Sequence, residues 1–289
     1  MPELPEVEVV KRSLNNKIQN LIIKKVKIND GKLRYCINKN KVIKIIGLKI
    51  MRVERRSKFL LFFLNKDIIM LAHLGMTGKF FFVNKKKDKF KTSFYYDINE
   101  KKDKKHDRVI FYLSKNNKLI YNDVRKFGFI KFLKTKNLNN NLHFNNLGPE
   151  PLSKKFNYNY FSSYIERKNK LIKDLLMNQQ FVSGIGNIYA NEILFLSNIK
   201  PTRKVKSLKD FELKKIIKNS KKILEKAIRF GGASIKDFSS SNGKKGSFQQ
   251  HFSVYGKDRQ VCSNINCKNK IVRSVISNRA TFFCLKCQK

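Results

Sequence analysis

In the opening segment Met1-Pro2-Glu3-Leu4-Pro5-Glu6-Val7-Glu8, the second residue has the most distinctive chemistry. A small residue after the initiator favours removal of Met1, and the chain would then begin with Pro2 as a free secondary amine. An α-amino group titrates near ~8, well below a lysine ammonium, so a useful fraction is neutral and nucleophilic at physiological pH. Attack of such an amine on an aldehyde-level carbon gives an iminium ion that is charged at any pH. That ion is an electron sink, as in a Schiff-base lysine. Glu3 is the adjacent candidate proton carrier, in a segment with three carboxylates. Proline at this position is common, however, and alone it implies no chemistry.

Four of the five cysteines fall late in the chain as Cys262-x4-Cys267-x16-Cys284-x2-Cys287. Two close pairs across a short span let four thiolates meet around one tetrahedral Zn²⁺. Full thiolate coordination leaves no position for water, so one structural zinc is expected to fold the tail. The intervening span suits a β-hairpin carrying Arg273 and Arg279. Cys36 stands apart and is read as a buried thiol without chemistry.

Asn178-Gln179-Gln180-Phe181-Val182-Ser183-Gly184-Ile185-Gly186-Asn187 joins two helical segments. Glycines there allow close backbone approach, and the N-terminus of the following helix presents free N–H groups to which a phosphate is the natural guest. An ordinary tight turn explains the same residues.

The elements that must hold these groups follow from periodicity. Pro5 reads as the first helical residue, and Val7, Val10, Leu14 and Ile18 form a core-facing stripe. From Leu21 to Leu133 the pattern is β, with strands at Leu21–Ile28, Lys41–Val53, Phe59–Leu64, Ile68–Leu71, Lys79–Val83, Val109–Leu113 and Phe129–Leu133, which suits a β-sandwich. The lysine-rich Asn84 to Lys105 stretch reads as a solvated hairpin loop. Residues 135–152, ending in Gly148-Pro149-Glu150-Pro151-Leu152, read as a linker. Beyond it Ile165, Leu171, Ile172, Leu175 and Leu176 are expected on one helix face. Ile188–Leu196 forms the next helix. Phe211–Phe230 forms a longer one that Gly231-Gly232 ends. Asp237–Gly246 reads as a mobile polar loop. The expected organisation is therefore 1–134, a catalytic sandwich; 135–152, the linker; 153–256, a helical domain; and 257–289, a zinc finger.

With 64 Lys+Arg against 21 Asp+Glu, the chain carries a formal +43 and calls for a polyanionic partner. Its abundance of Lys, Asn, Ile and Phe also matches an AT-rich coding bias, an alternative source for part of that charge, so the charge supports this reading without proving it. No secretory pattern is present, and the longest apolar runs are too short to span a bilayer. The chain reads as soluble and intracellular.

Five motifs in order, namely Met1–Glu8, His73-Leu74-Gly75-Met76-Thr77-Gly78, Leu147–Leu152, Gly184-Ile185-Gly186-Asn187-Ile188-Tyr189 and Cys284-Leu285-Lys286-Cys287-Gln288-Lys289, make the chain resemble formamidopyrimidine-DNA glycosylase along its whole length. The resemblance implies an α+β multidomain fold: an N-terminal β-sandwich with flanking helices, then a helical domain with a helix–two-turn–helix and a zinc-finger β-hairpin. It implies Pro2 as nucleophile, Glu3 as general acid/base and Glu6 as a second acidic residue near the site. The resemblance also implies Lys58 and Arg279 as phosphate-contacting residues and proton donors. Met76, Arg125 and Phe127 match the residues that fill the hole left by an extruded base. Asn187 matches a phosphate ligand, and His106 and Lys168 are further expected DNA contacts. The Asp237–Gly246 loop falls where the family closes over the flipped purine.

The implied reaction is excision of oxidised purines from double-stranded DNA followed by β,δ-elimination, carried out by a monomeric cytoplasmic bacterial enzyme. Alternatives are an endonuclease VIII-type glycosylase for oxidised pyrimidines and a non-catalytic zinc-ribbon nucleic-acid binder. The family spaces its first cysteine pair by two residues, whereas Cys262 and Cys267 enclose four, a spacing still within zinc geometry.

Overall fold

A computed structural model describes residues 1–84, 89–91, 104–233 and 248–289. Residues 85–103 of the expected Asn84–Lys105 hairpin loop (apart from the backbone of 89–91) and the Asp237–Gly246 loop lie outside the described residues. The chain forms two compact units: Met1–Asn145 with the segment beginning at Phe230, and Asn146–Arg229 with Phe248–Lys289.

The first unit begins with α1 (Leu4–Ile18), one residue earlier than Pro5 suggested, because Glu3 is the N-cap and Pro5 sits within the first turn. Then come β1 (Ile23–Ile28), α2 (Lys39–Ile43), β2 (Ile50–Arg56), β3 (Phe59–Leu64), β4 (Ile68–His73), β5 (Lys79–Val83) and β6 (Lys89–Lys91). β7 (Asp107–Leu113), β8 (Asn117–Asn122) and β9 (Phe129–Lys134) complete it. The strands form two antiparallel sheets, β1-β7-β8-β5-β6 and β2-β3-β4-β9.

Alternate residues from both sheets fill one core. Leu60, Phe62, Met70, Ala72, Ile130 and Phe132 meet Phe80, Phe82, Val109, Phe111, Leu119 and Tyr121, joined by Val7, Val10, Leu14 and Ile18 of α1. The remaining residues of the smaller sheet, Leu61, Phe63, Ile69, Leu71 and Phe129, form a second cluster on its other face. Burial on both faces explains why Phe59–Leu64 and Ile68–Leu71 are unbroken apolar runs rather than alternating ones.

Two local expectations are corrected, and one strand adds to those expected. Lys41–Val53 is not one strand. Asn38 caps α2, accepting the Lys41 amide at 3.0 Å, and Val42 and Ile45 are buried while Ile43 and Ile46 are exposed, a helical rather than alternating pattern. Strand β8 is an addition to the expected strands, although Leu119-Ile120-Tyr121 is an apolar run with β-branched and aromatic residues. Its hairpin turns at Lys115-Asn116, both left-handed (φ 59° and 54°), without the glycine that usually marks such turns. Cys36 is exposed rather than buried, on the loop where Lys32 bridges Cys36.

The second unit contains α3 (Tyr158–Ile165), α4 (Ile172–Met177), α5 (Asn187–Ser197), α6 (Asp210–Arg229), β10 (Ile271–Ile276) and β11 (Arg279–Cys284). The single helix face expected across Ile165 to Leu176 is divided between α3 and α4, because Leu171 is extended and bridges Lys204. Helix α6 buries Leu213, Ile216, Ile217, Ile223, Leu224 and Ile228, and Gly231 and Gly232 follow it at φ 79° and 78°. Buried Glu192 on α5 accepts the amides of Ser253, Val254 and Tyr255 at 2.7–2.9 Å, anchoring the segment that leads to the cysteines. Burial raises its pKa, against the pull of those three hydrogen bonds. No helix among the described residues is long and apolar enough to cross a membrane.

Candidate active site and nucleic-acid interface

The N-terminus is held by its own helix cap. Glu3 and Glu6 form a capping box in which the Glu3 amide donates to Glu6 Oε2 at 2.9 Å, and Glu6 Oε1 accepts the Ala233 amide at 2.9 Å. Pro2 is buried, as are Glu3 and Glu6. Burial lowers the pKa of the α-amine that precedes Pro2. Glu3 and Glu6 oppose that shift, and Lys58 and Arg125 add to it. The first unit thus brings the terminal amine, two carboxylates, Lys58 and Arg125 within electrostatic reach of one another.

Lys58 is buried in the turn between β2 and β3, next to Ser57 at φ 55°. This turn is tied to α1. Arg55 Nη1 donates to the Ser57 carbonyl, and Arg55 Nε pairs with Glu8 Oε2, each at 2.9 Å. Burial raises the Glu8 pKa, but Arg55, Arg12 and Lys11 together hold it below the ordinary carboxylate value.

At the same end of the small sheet, paired residues Phe59, His73 and Phe129 begin or end their strands. His73 stacks on Phe129 at 5.6 Å, and its Nδ1 accepts the Gly75 amide at 3.0 Å. Burial, with Lys58, Arg34 and His143 nearby, lowers its pKa to about 4, so the ring is neutral near pH 7.

The β4–β5 and β8–β9 loops present Met76 and Phe127, which are 41 % and 46 % exposed. Apolar periodicity alone would place both in the core. Left-handed Lys126 (φ 58°) separates exposed Arg125 from Phe127, and the Arg125 guanidinium lies 4.6 Å from the Phe127 ring centroid. His106 is half-buried in a 3₁₀ turn before β7, its Nδ1 lying 3.2 Å from Arg108 Nη2.

In the second unit, Gly184 (φ 96°) turns the chain into α5, and Asn187 is the first residue of that helix. Asn187 Nδ2 donates to the Ala280 carbonyl at 2.9 Å, while its buried Oδ1 has no hydrogen-bond partner among the described residues. Asn191 Oδ1 accepts the Phe282 amide at 2.7 Å, so α5 is fastened along β11. Exposed Arg279 begins β11 after the tight turn Ser277-Asn278, beside Asn187's partner Ala280. Lys168 is half-buried, its ammonium 4.4 Å from the Tyr164 ring centroid. The sequence reading missed Lys173. It lies buried on the apolar face of α4 and donates to Thr281 Oγ1 at 2.6 Å. Burial lowers its pKa to about 8, Asp174 opposes that shift and Arg279 adds to it. A lysine between Ile172 and Leu175 was the available signal.

The four late cysteines converge, their sulfurs all within 4.8 Å of one another. Cys262 and Cys287 are 3.8 Å apart and Cys267 and Cys284 3.7 Å, far beyond disulfide length. Four thiolates ~2.3 Å from a tetrahedral ion lie roughly 3.8 Å apart, so this cluster could hold a zinc ion.

The chain is similar to known proteins along its whole length. Residues 1–130 match the family model described as "Formamidopyrimidine-DNA glycosylase N-terminal domain", and residues 147–239 that described as "Formamidopyrimidine-DNA glycosylase H2TH domain". The chain is 41 % identical to a formamidopyrimidine-DNA glycosylase of Rickettsia felis, over 100 % of this chain and 98 % of the relative. It is also 41 % identical to one of Rickettsia bellii, with both chains fully covered. Among solved structures, a Lactococcus lactis Fpg variant complexed with Fapy-dG-containing DNA superposes with TM-score 0.86 at 30 % identity, covering both chains fully. A complex of Lactococcus lactis Fpg with DNA containing an abasic site gives 0.84 at 30 % identity over 99 % of each chain.

Proposed function

Because the chain belongs to the formamidopyrimidine-DNA glycosylase family of DNA-repair glycosylases, we propose that it excises oxidised purines, 8-oxoguanine and formamidopyrimidines, from duplex DNA and then cleaves the abasic site. The observation that carries this reading is the buried terminal segment, where Pro2 directly precedes the Glu3–Glu6 capping box.

With Met1 removed, the Pro2 nitrogen attacks C1′ of the damaged nucleotide. The glycosidic bond breaks, its electron pair leaves with the base, and Glu3 protonates the sugar oxygen as the ring opens. The resulting iminium acidifies the C2′ proton. Loss of that proton expels the 3′ phosphate, and a second elimination expels the 5′ phosphate. Lys58 holds the phosphate beside the lesion, while Arg279 and Asn187 grip the backbone, with His106 and Lys168 as further contacts. Met76, Arg125 and Phe127 occupy the space of the extruded base, offsetting a cost of roughly a few kcal/mol in lost stacking. Zinc on the four cysteines fixes the hairpin that carries Arg279. We further propose a monomer acting in the bacterial cytoplasm on nucleoid DNA, with the sequence division 1–134, 135–152, 153–256 and 257–289, in which residues 230–233 of the third segment pack with the first.

Intact-mass analysis after borohydride treatment with 8-oxoguanine duplex tests this. A reduced adduct on a protein beginning at Pro2 is expected. An undiminished adduct in Pro2→Gly protein with an acetylated N-terminus would overturn the assignment. A parallel thymine glycol duplex should be cut more slowly.

A further inference from the structure

We propose that Asp123 is a positioning residue that locks Met76, Arg125 and Phe127 into one preformed wedge, an inference that rests on the void-filling role given to those three side chains above. Asp123 follows β8 and is fully buried. Its Oδ1 accepts the Thr77 hydroxyl at 2.5 Å, and Thr77 Oγ1 in turn accepts the Arg125 amide at 3.0 Å. Its Oδ2 accepts the Gly128 amide at 2.8 Å and the Tyr121 hydroxyl at 3.4 Å. One carboxylate therefore fixes the residue after Met76, the residue after Phe127 and, through Thr77, the backbone of Arg125.

The loops are also interlocked sterically. A Cβ on Gly75 (φ 59°) would lie 2.4 Å from the Gly128 nitrogen and 2.5 Å from the Phe127 carbonyl carbon. A Cβ on Gly128 would lie 1.9 Å from Tyr121 Oη. Backbone therefore meets backbone directly beneath two exposed apolar tips. Arg108 holds Asp123 from behind, donating Nε to its carbonyl at 2.8 Å and pairing through Nη1 with Asp30 at 3.1 Å.

The chemistry requires an acceptor on both oxygens. An asparagine offers one acceptor and points an N–H₂ donor at a second donor, which separates the two loops. Because unstacking needs all three wedge groups placed together, a loosened wedge should penalise base extrusion more than chemistry on a sugar that has already lost its base.

Single-turnover assays on wild type, Asp123→Asn, Thr77→Val and Thr77→Ser test this, using an 8-oxoguanine duplex with 2-aminopurine beside the lesion and a matched duplex with a preformed abasic site. Asp123→Asn and Thr77→Val should slow 8-oxoguanine excision by about tenfold or more and diminish the 2-aminopurine rise, while abasic-site cleavage falls less than about threefold. Thr77→Ser, which keeps the hydroxyl, should stay within about threefold of wild type on both. Thr77→Val keeps the test decisive should Asp123→Asn not fold. Equal losses on both substrates, or no loss on either, would overturn the proposal. Failure of wild type to cut either duplex would instead strike the proposed function.

Discussion

Glu6 Oε1 accepts the amide of Ala233 at 2.9 Å, joining the first turn of the first helix to a residue 227 positions away. The other oxygen of the same carboxylate holds the Glu3 amide. The placement of the terminal amine therefore depends on a contact that neither segment could form alone.

Glu6→Gln should destabilise the first unit by about 1–3 kcal/mol, because the carboxamide can accept from only one of the two buried amides. Gly232→Ala should cost about 1 kcal/mol, since the residue sits at φ 78° and its Cβ would lie 3.1 Å from Glu6 Oε1. Urea unfolding of both variants measures this. Unchanged midpoints would mean that the Glu6–Ala233 link contributes nothing.

Glu3→Gln should lower base excision by at least about 100-fold, the loss of an acid–base group, while affinity for lesion duplex stays within a fewfold. Glu3 accepts within the capping box, and glutamine keeps one acceptor there, so the fold should survive. Filter binding and single-turnover excision separate the two effects. Unimpaired excision would remove Glu3 from the mechanism.

His73 provides a pH test with a defined sign. Its pKa is lowered from 6.5 to about 4 in the fold, so folding favours the neutral ring. That contribution is complete above pH 6.5 and is lost as pH falls from 6.5 toward 4, by up to about 3 kcal/mol. The difference in unfolding free energy between wild type and His73→Gln should therefore be flat above neutrality and shift in favour of the variant on acidification. A difference independent of pH would show that the ring titrates normally.

Removing metal from the cysteine cluster should weaken DNA binding well before it disturbs the sandwich, whose core contains none of the four sulfurs. Metal analysis should find one zinc per chain. Chelation should cut duplex affinity by about tenfold or more, through loss of the ordered hairpin carrying Arg279. Simultaneous melting of the β-sheet signal in circular dichroism would show that the two units do not fold independently.

The sequence made some features plain for physical reasons. The α1 stripe, the doubly buried strands and the cysteine spacing each impose a pattern on consecutive or near-consecutive residues. Other features depend on contacts between distant residues. Asp123 sits in Asn122-Asp123-Val124-Arg125, where nothing local distinguishes it from a turn aspartate. Lys173 shows itself only as a charge on an apolar face. Val42 and Ile45 are β-branched, which favours strands, yet the Asn38 cap starts a short helix at Lys39–Ile43 and the burial pattern follows it. The turn into strand β8 lacks the glycine that would have marked it.

That last feature points to a practical opportunity. Lys66-Asp67, Lys115-Asn116 and Ser277-Asn278 all turn hairpins through paired left-handed conformations built from L-residues. Replacing Lys115 and Asn116 with asparagine and glycine should relieve torsional strain without touching any group assigned to DNA, raising the melting temperature by a few degrees. The scaffold therefore has latent thermostability at its rims, open to an engineer who wants a hardier reagent.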